Sequence, residues 1–244
     1  MKKTLQFLLG FLCCNLLWLL LAAALRTRAL PGPIAVYRAL PQTLCGAGGH
    51  ILFSLWRVGM GVSLALLAGG LTGIAMARLP ALGRALDPVL YFAYPVPKSA
   101  LLPVAMLLLG LGDGSKVMII FLSVVFPVTV AARDAAKETD PALYALARSA
   151  GANRWQSFWQ ITLPALLPAL LTSLRLGVGT ALALLFLVEG YGTDRGIGYY
   201  ILDCWSRIDY LGMYGGIVLI SLVGALLFLG VDLLAQRLCR WKRV

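Results

Sequence analysis

An all-α, polytopic membrane fold of about six spanning helices follows from three features of this 244-residue sequence. Hydrophobic residues make up 60% of it and charged residues only 13%, against roughly 45–50% and about 25% in soluble domains. Mean hydropathy is +0.87. Long apolar runs recur from one end of the chain to the other, as a helical membrane protein requires. An ordinary soluble globule and a disordered chain are both excluded, and residues 1–244 read as a single transmembrane domain.

The first run, 4–25, follows Lys2 and Lys3. Its flank resembles a signal peptide, but it is longer than the roughly 7–15 residues of a signal core. It reads as an uncleaved first span. Residues 30–49 read as a Pro- and Gly-containing connection. In the second run, 58–77, Gly61, Ala65, Gly69, Gly73 and Ala77 recur at every fourth position. That ridge of small side chains predicts close helix packing.

The third run, 88–110, contains Pro95, Pro97 and Pro103, which remove backbone donors and predict a kink or break. Broken backbone at membrane depth is tolerated only where protein buries it or water reaches it. Tyr94, Pro95, Pro97 and Lys98 therefore become candidates for an internal path. Spans at 117–132, 163–188 and 212–234 complete the set, separated by a Gly/Asp/Ser turn at 111–116, a polar stretch at 133–162 and a Gly-rich one at 189–211.

The net charge of +11 marks loop sidedness rather than nucleic-acid binding. With a cytoplasmic N-terminus, twelve of the 21 Lys+Arg fall inside and six outside, so both termini are expected to be cytoplasmic. Arg57 lies at a span border; Lys98 and Arg175 lie within spans.

The polar stretch 133–162 is the most informative. Asp140 is a helix N-cap and Pro141 occupies the first helical position. Leu143, Leu146, Ala147 and Ala150 form an apolar face and Gly151 sits at the C-terminal cap position. Asn153 and Gln156 make a capping box for a second short helix with Trp155, Phe158 and Trp159 on its apolar side. Two readings stand: a buttress packed on its own membrane domain, or a docking element for a soluble partner.

Residues 140–156, with Ile161-Thr162-Leu163-Pro164, resemble the "EAA" loop of bacterial ABC-importer permeases, in the nitrate/sulfonate/taurine branch. Leu30-Pro31-Gly32-Pro33, His50, Ser54-Leu55-Trp56-Arg57, the segment 95–103, Glu189 and Gly196–Ile201 resemble further signatures of that family. The likeness covers about residues 29–243. One departure stands out: the loop's usual Glu falls on Ala145 and one usual Ala on Leu146, whereas Ala147 and Gly151 are kept.

The resemblance implies a type I importer permease fold and no enzymatic activity in this chain. It also implies partners: a second permease chain in a homodimer, two cytoplasmic ABC ATPase subunits, and an extracytoplasmic solute-binding protein. ATP and Mg are expected in the ATPase, since no GK[ST] phosphate loop occurs here. No cofactor or metal is expected in the chain itself. Asp140, Pro141, Leu143, Tyr144, Ala147, Gly151, Asn153 and Trp155 become the candidate coupling loop. The implied cargo is a small anion such as a sulfonate, taurine or nitrate, with a thiamine or riboflavin precursor as the alternative.

Single residues carry two readings each. Arg175 is either an anion-attracting group on the path or a structural cation paired with Glu189 or a helix C-terminus. Glu189 is either a gate or interface residue or a solvated cap. His50 reads as interfacial, and Tyr199, Tyr200, Trp205 and Tyr210 as an aromatic belt. The five cysteines show no metal spacing, and a Cys45–Cys204 bridge stays open. An intramembrane enzyme would need clustered acid, base or metal-ligand groups that one His cannot supply. A secondary transporter is disfavoured because no internal repeat is visible.

Overall fold

The structure is a computed structural model that describes residues 2–241, with side chains from Leu9 onward. Ten α-helices follow one another: α1 (Lys2–Leu25), α2 (Pro33–Arg78), α3 (Pro80–Ala93), α4 (Leu102–Leu109), α5 (Asp113–Glu138), α6 (Pro141–Ser149), α7 (Arg154–Ser157), α8 (Leu163–Glu189), α9 (Ile197–Ser206) and α10 (Tyr210–Leu238). A 3-10 turn, Lys98–Leu101, precedes α4, and a π-helical turn, Phe158–Thr162, joins α7 to α8. Among the described residues, four helical stretches are long and apolar enough to cross a membrane: Pro33–Arg78, Asp113–Glu138, Arg154–Glu189 and Tyr210–Leu238. The pair Pro80–Ala93 and Lys98–Leu109, bent by 89°, is long and apolar enough only when taken together, as a broken span or a re-entrant loop, and Leu9–Leu25 is a shorter apolar helix.

The core lies between α2, α5 and α8. The small-residue ridge of α2 faces α5 and lets the two backbones touch. A Cβ on Gly61 would sit 2.6 Å from Ile120, and one on Gly73 would sit 2.5 Å from the Thr129 carbonyl oxygen. Gly177 on α8 admits Val124 of α5 in the same way. Ile119, Ile120, Val124 and Val128 are fully buried in the resulting seam. Since lipid offers no hydrophobic gain for helix association, this backbone proximity supplies the packing.

Charged layers cap both ends of the seam. At one end lie Arg57, Asp113 and Glu189; at the other, Arg78 donates to the Thr162 hydroxyl and Arg133 pairs with Asp87. Arg57 to Arg78 is about 32 Å of helix at 1.5 Å per residue, which matches a bilayer core of about 30 Å.

Several expectations are corrected. Residues 33–49 are helix, not connection: Pro33 supplies the first turn, and Pro41 is accommodated inside a 46-residue helix. Arg57 thus lies within α2, which continues beyond the apolar stretch that Arg57 borders. Lys116 belongs to the first turn of α5 and is buried. The second short helix, Arg154–Ser157, is not separate from the span that follows. It runs through the π turn, Phe158–Thr162, into α8, whose first turn holds Pro164. Cys45 is exposed and Cys204 buried, and both are free.

Candidate functional site

Three places collect the chemistry-bearing residues. The first is a buried ion cluster. Arg57, 1% exposed, donates from Nη1 to Glu189 at 2.7 Å and to the Arg195 carbonyl at 2.8 Å. Its Nε donates to Asp113 at 2.7 Å, and Nη2 donates to the Thr193 hydroxyl at 3.1 Å. Glu189, 0% exposed, also accepts from the Ser54 hydroxyl at 2.8 Å and from the Gly198 amide at 2.9 Å. Ser54 Oγ in turn accepts from the Ile197 amide at 2.8 Å. Lys116 donates to the carbonyls of Leu111 and Gly192. Buried charges are tolerated only when paired and hydrogen-bonded like this.

The cluster ties α2, α5 and α8 to the loop 190–196 and the start of α9. Gly196, at φ +118°, is required there: a Cβ would fall 2.3 Å from the Glu189 carboxyl carbon. His50 belongs to this edge rather than to a lipid interface alone. Its Nδ1 accepts from the Gly196 amide at 3.2 Å, and its ring stacks on Tyr199 and packs at a tilt against Tyr200. Those two tyrosines therefore pack inward, while Trp205 stays exposed. Burial, with the Cys204 contact, pushes the Tyr200 phenol up to about 12, and burial also raises the Cys204 thiol. Both stay neutral at physiological pH.

The second place is the break between α3 and the 3-10 turn. Tyr94 and Pro95 form the turn, Pro97 precedes the 3-10 residues, and Lys98 folds back on the break. Its Nζ donates to the Ala93 carbonyl and, at 2.8 Å, to the Tyr94 carbonyl, satisfying acceptors that a broken helix leaves open. A cavity of about 310 Å³ opens here between α5 and α8.

The third place is the polar loop. Asp140 accepts from the Ala142 amide at 2.8 Å, and Pro141 starts α6. The Ala152 amide donates to Ala147 O at 2.9 Å and the Gly151 amide to Arg148 O at 3.0 Å, a Schellman closure with Gly151 at φ +79°. Asn153 and Gln156 exchange both hydrogen bonds of a capping box. Leu143, Leu146 (69% exposed) and Trp155 (67% exposed) face outward. Tyr144 turns inward, its hydroxyl 3.0 Å from Thr162 Oγ1, and holds α6 to the base of α8.

The candidate path residues are thus not all brought together. Tyr94, Pro95, Pro97 and Lys98 gather at the break. Glu189 faces the protein interior, because its two oxygens are filled by Arg57, Ser54 and Gly198; it is not a solvated cap. Arg175 pairs with Asp232 of α10 at 3.2 Å and lies over the Phe228 ring. That partner replaces the expected Glu189, and Arg175 does not line the cavity of Lys98. Ser54, Arg57, Asp113 and Lys116 were not legible as a site. Their one sequence signal is that two cations and two carboxylates, counting Glu189, stand beside apolar runs with no other role.

Residues 61–243 match the family described as "Binding-protein-dependent transport system inner membrane component". The chain belongs to this family. Among its relatives is the taurine transport system permease protein of Escherichia coli (strain K12), 33% identical over 87% of this chain and 80% of that one. Another is the formylaminopyrimidine transport permease protein of Halalkalibacterium halodurans, 29% identical over 100% and 99%. The fold matches a chain of the bacterial alginate ABC transporter, solved in complex with an alginate pentasaccharide-bound periplasmic protein. There the TM-score is 0.61, with 16% identity over 97% of this chain and 96% of that one. The family is one of transport permeases, not enzymes.

Proposed function

We propose that this permease forms, with a second copy of itself, the membrane path of an ATP-driven importer for a small anionic solute of the sulfonate, taurine or nitrate kind. A solute-binding protein delivers cargo outside. Two ABC ATPase subunits dock inside, on the loop 140–161, and hold the ATP and Mg. Both termini then lie in the cytoplasm.

One observation carries the reading. Helix α6 is capped at both ends, yet among the described residues its leucines, Leu143 and Leu146, stay exposed. A short, rigid helix with exposed leucines fits the helix-in-groove mode of recognition. The short α7 continues through the π turn into α8, so motion of the loop is delivered directly to a spanning helix. Two states of the dimer, biased by ATP and by the loaded binding protein, then expose the path alternately. The relatives' names support a small-solute cargo, with a thiamine or riboflavin precursor as the second reading, favoured by the full-length match to the formylaminopyrimidine permease.

The test is Leu143→Asp with Leu146→Asp in the tagged permease. ATPase recovered on co-purification is expected to fall at least tenfold, with bundle stability unchanged. Full recovery would dismiss the loop as the docking element.

A further inference from the structure

Beyond the transport reading, we propose that the cavity between the end of α2 and the α6–α7 segment binds the headgroup of an anionic phospholipid. The cavity, of about 770 Å³, is lined by Arg78, Lys137, Arg148 and Arg154, with Thr139, Tyr144 and Ser157 beside them. The four cations come from four helices. Arg78 ends α2, Lys137 and Arg148 lie in the last turns of α5 and α6, and Arg154 opens α7.

Among the described residues, no carboxylate lines this cavity, and none of the ion pairs includes any of the four cations. Asp87 and Asp134 pair with Arg133, and Asp140 caps α6. Glu138 follows Lys137 in sequence but pairs with none of the four. Like charges around one cavity repel unless an anion lies among them.

The hydroxyls beside the cations are already committed. Thr139 Oγ1 donates to the Ala135 carbonyl and Ser157 Oγ to the Asn153 carbonyl, both at 3.0 Å. Tyr144 and Arg78 both meet Thr162 Oγ1. The donors left for an occupant are guanidinium and ammonium protons. Guanidinium forks match phosphate oxygens, which they hold in bidentate pairs.

Position selects a lipid. Arg78 stands at one end of the α2 segment that matches the bilayer core, so the cavity it lines lies at headgroup level. Trp159, 51% exposed in the turn that opens into α8, suits the same depth. Basic pockets at the ends of spanning helices take anionic headgroups. A zwitterionic headgroup brings an ammonium, which the four cations repel. The lipid also leaves the docking face of α6 free. Pro141, Tyr144 and Arg148, at i, i+3 and i+7, line the cavity, whereas Leu143 and Leu146 do not and stay exposed. A headgroup shared by all four cations holds α6 against the ends of α2 and α5.

The experiment titrates the purified, tagged permease with phosphatidylglycerol or phosphatidylcholine and counts bound lipid by native mass spectrometry. It needs neither the ATPase nor transport, so failure of this site and failure of the importer reading are separate results. The parent is expected to bind phosphatidylglycerol at least fivefold more tightly than phosphatidylcholine. Arg148→Gln with Arg154→Gln is expected to weaken phosphatidylglycerol binding at least fivefold. Arg237→Gln with Arg240→Gln, which removes the same charge from the C-terminal tail, is expected to stay within twofold of the parent. If the first double variant does not fold, Lys137→Gln decides, with an expected loss of at least threefold. Equal binding of the two lipids, unchanged binding in the cavity variants, or an equal loss in the tail variant overturns the site. Displacement of phosphatidylglycerol by millimolar inorganic phosphate overturns the lipid as its occupant.

Discussion

The guanidinium of Arg57 and the carboxylate of Glu189, 132 residues apart in sequence, meet at 2.7 Å with both side chains buried. The pair joins α2 to α8 and, through Arg195 O and Gly198 N, fixes the loop between α8 and α9. Removing one partner of such a pair leaves an uncompensated charge, at about 3–5 kcal/mol. Glu189→Gln is therefore expected to lower the thermal midpoint of the purified permease by many degrees, and Arg57→Met with Glu189→Met to recover part of that loss. A single variant as stable as the parent would contradict the account.

Gly73 and Gly59 make a matched pair on α2. A side chain at Gly73 meets the Thr129 carbonyl and Ala132, whereas nothing lies within 4 Å of a Cβ on Gly59. Gly73→Val is expected to separate α2 from α5, at about 1–3 kcal/mol for overpacking. Gly59→Ala is expected to be neutral or slightly stabilising, because alanine favours helix. Thermal unfolding in detergent distinguishes them.

Gly151 has open space around it but a left-handed backbone at φ +79°. Gly151→Val is expected to strain the turn by about 1–2 kcal/mol without disturbing the bundle. Faster hydrogen exchange in α6 and lower ATPase recovery should appear together, with an unchanged global unfolding midpoint.

Arg175 and Asp232 hold each other at 3.2 Å on two membrane-spanning helices. Neutralising one leaves a lone charge in or beside lipid, which is costly. Arg175→Gln and Asp232→Asn are each expected to reduce the yield of folded protein, and the double variant to restore it. A double variant worse than both singles would mean the pair does more than cancel charge.

The spans and the polar loop were legible because their signals are local. Apolar length marks α5, α8 and α10, and Asp140, Gly151, Asn153 and Gln156 carry their capping roles in their own chemistry. The ridge of small residues marked a packing face on α2 for the same reason, but not α5 as its partner. The ion cluster was not legible, since Ser54, Arg57, Asp113, Lys116 and Glu189 converge only after three helices have packed. Residues 33–49 misled because Pro and Gly punctuate soluble helices, whereas here Pro41 sits inside a helix that neighbouring helices support. The partner of Arg175 was missed because helix register, not sequence proximity, brings Asp232 to it.

The central claim is ATP-driven import through a docked partner. The most direct measurement isolates the tagged permease from its native membrane, identifies what accompanies it, and follows solute uptake as cellular ATP is depleted. The account predicts a stoichiometric ABC ATPase in the isolate and uptake that collapses with ATP. No ATPase in the isolate, together with uptake that persists without ATP, would contradict it.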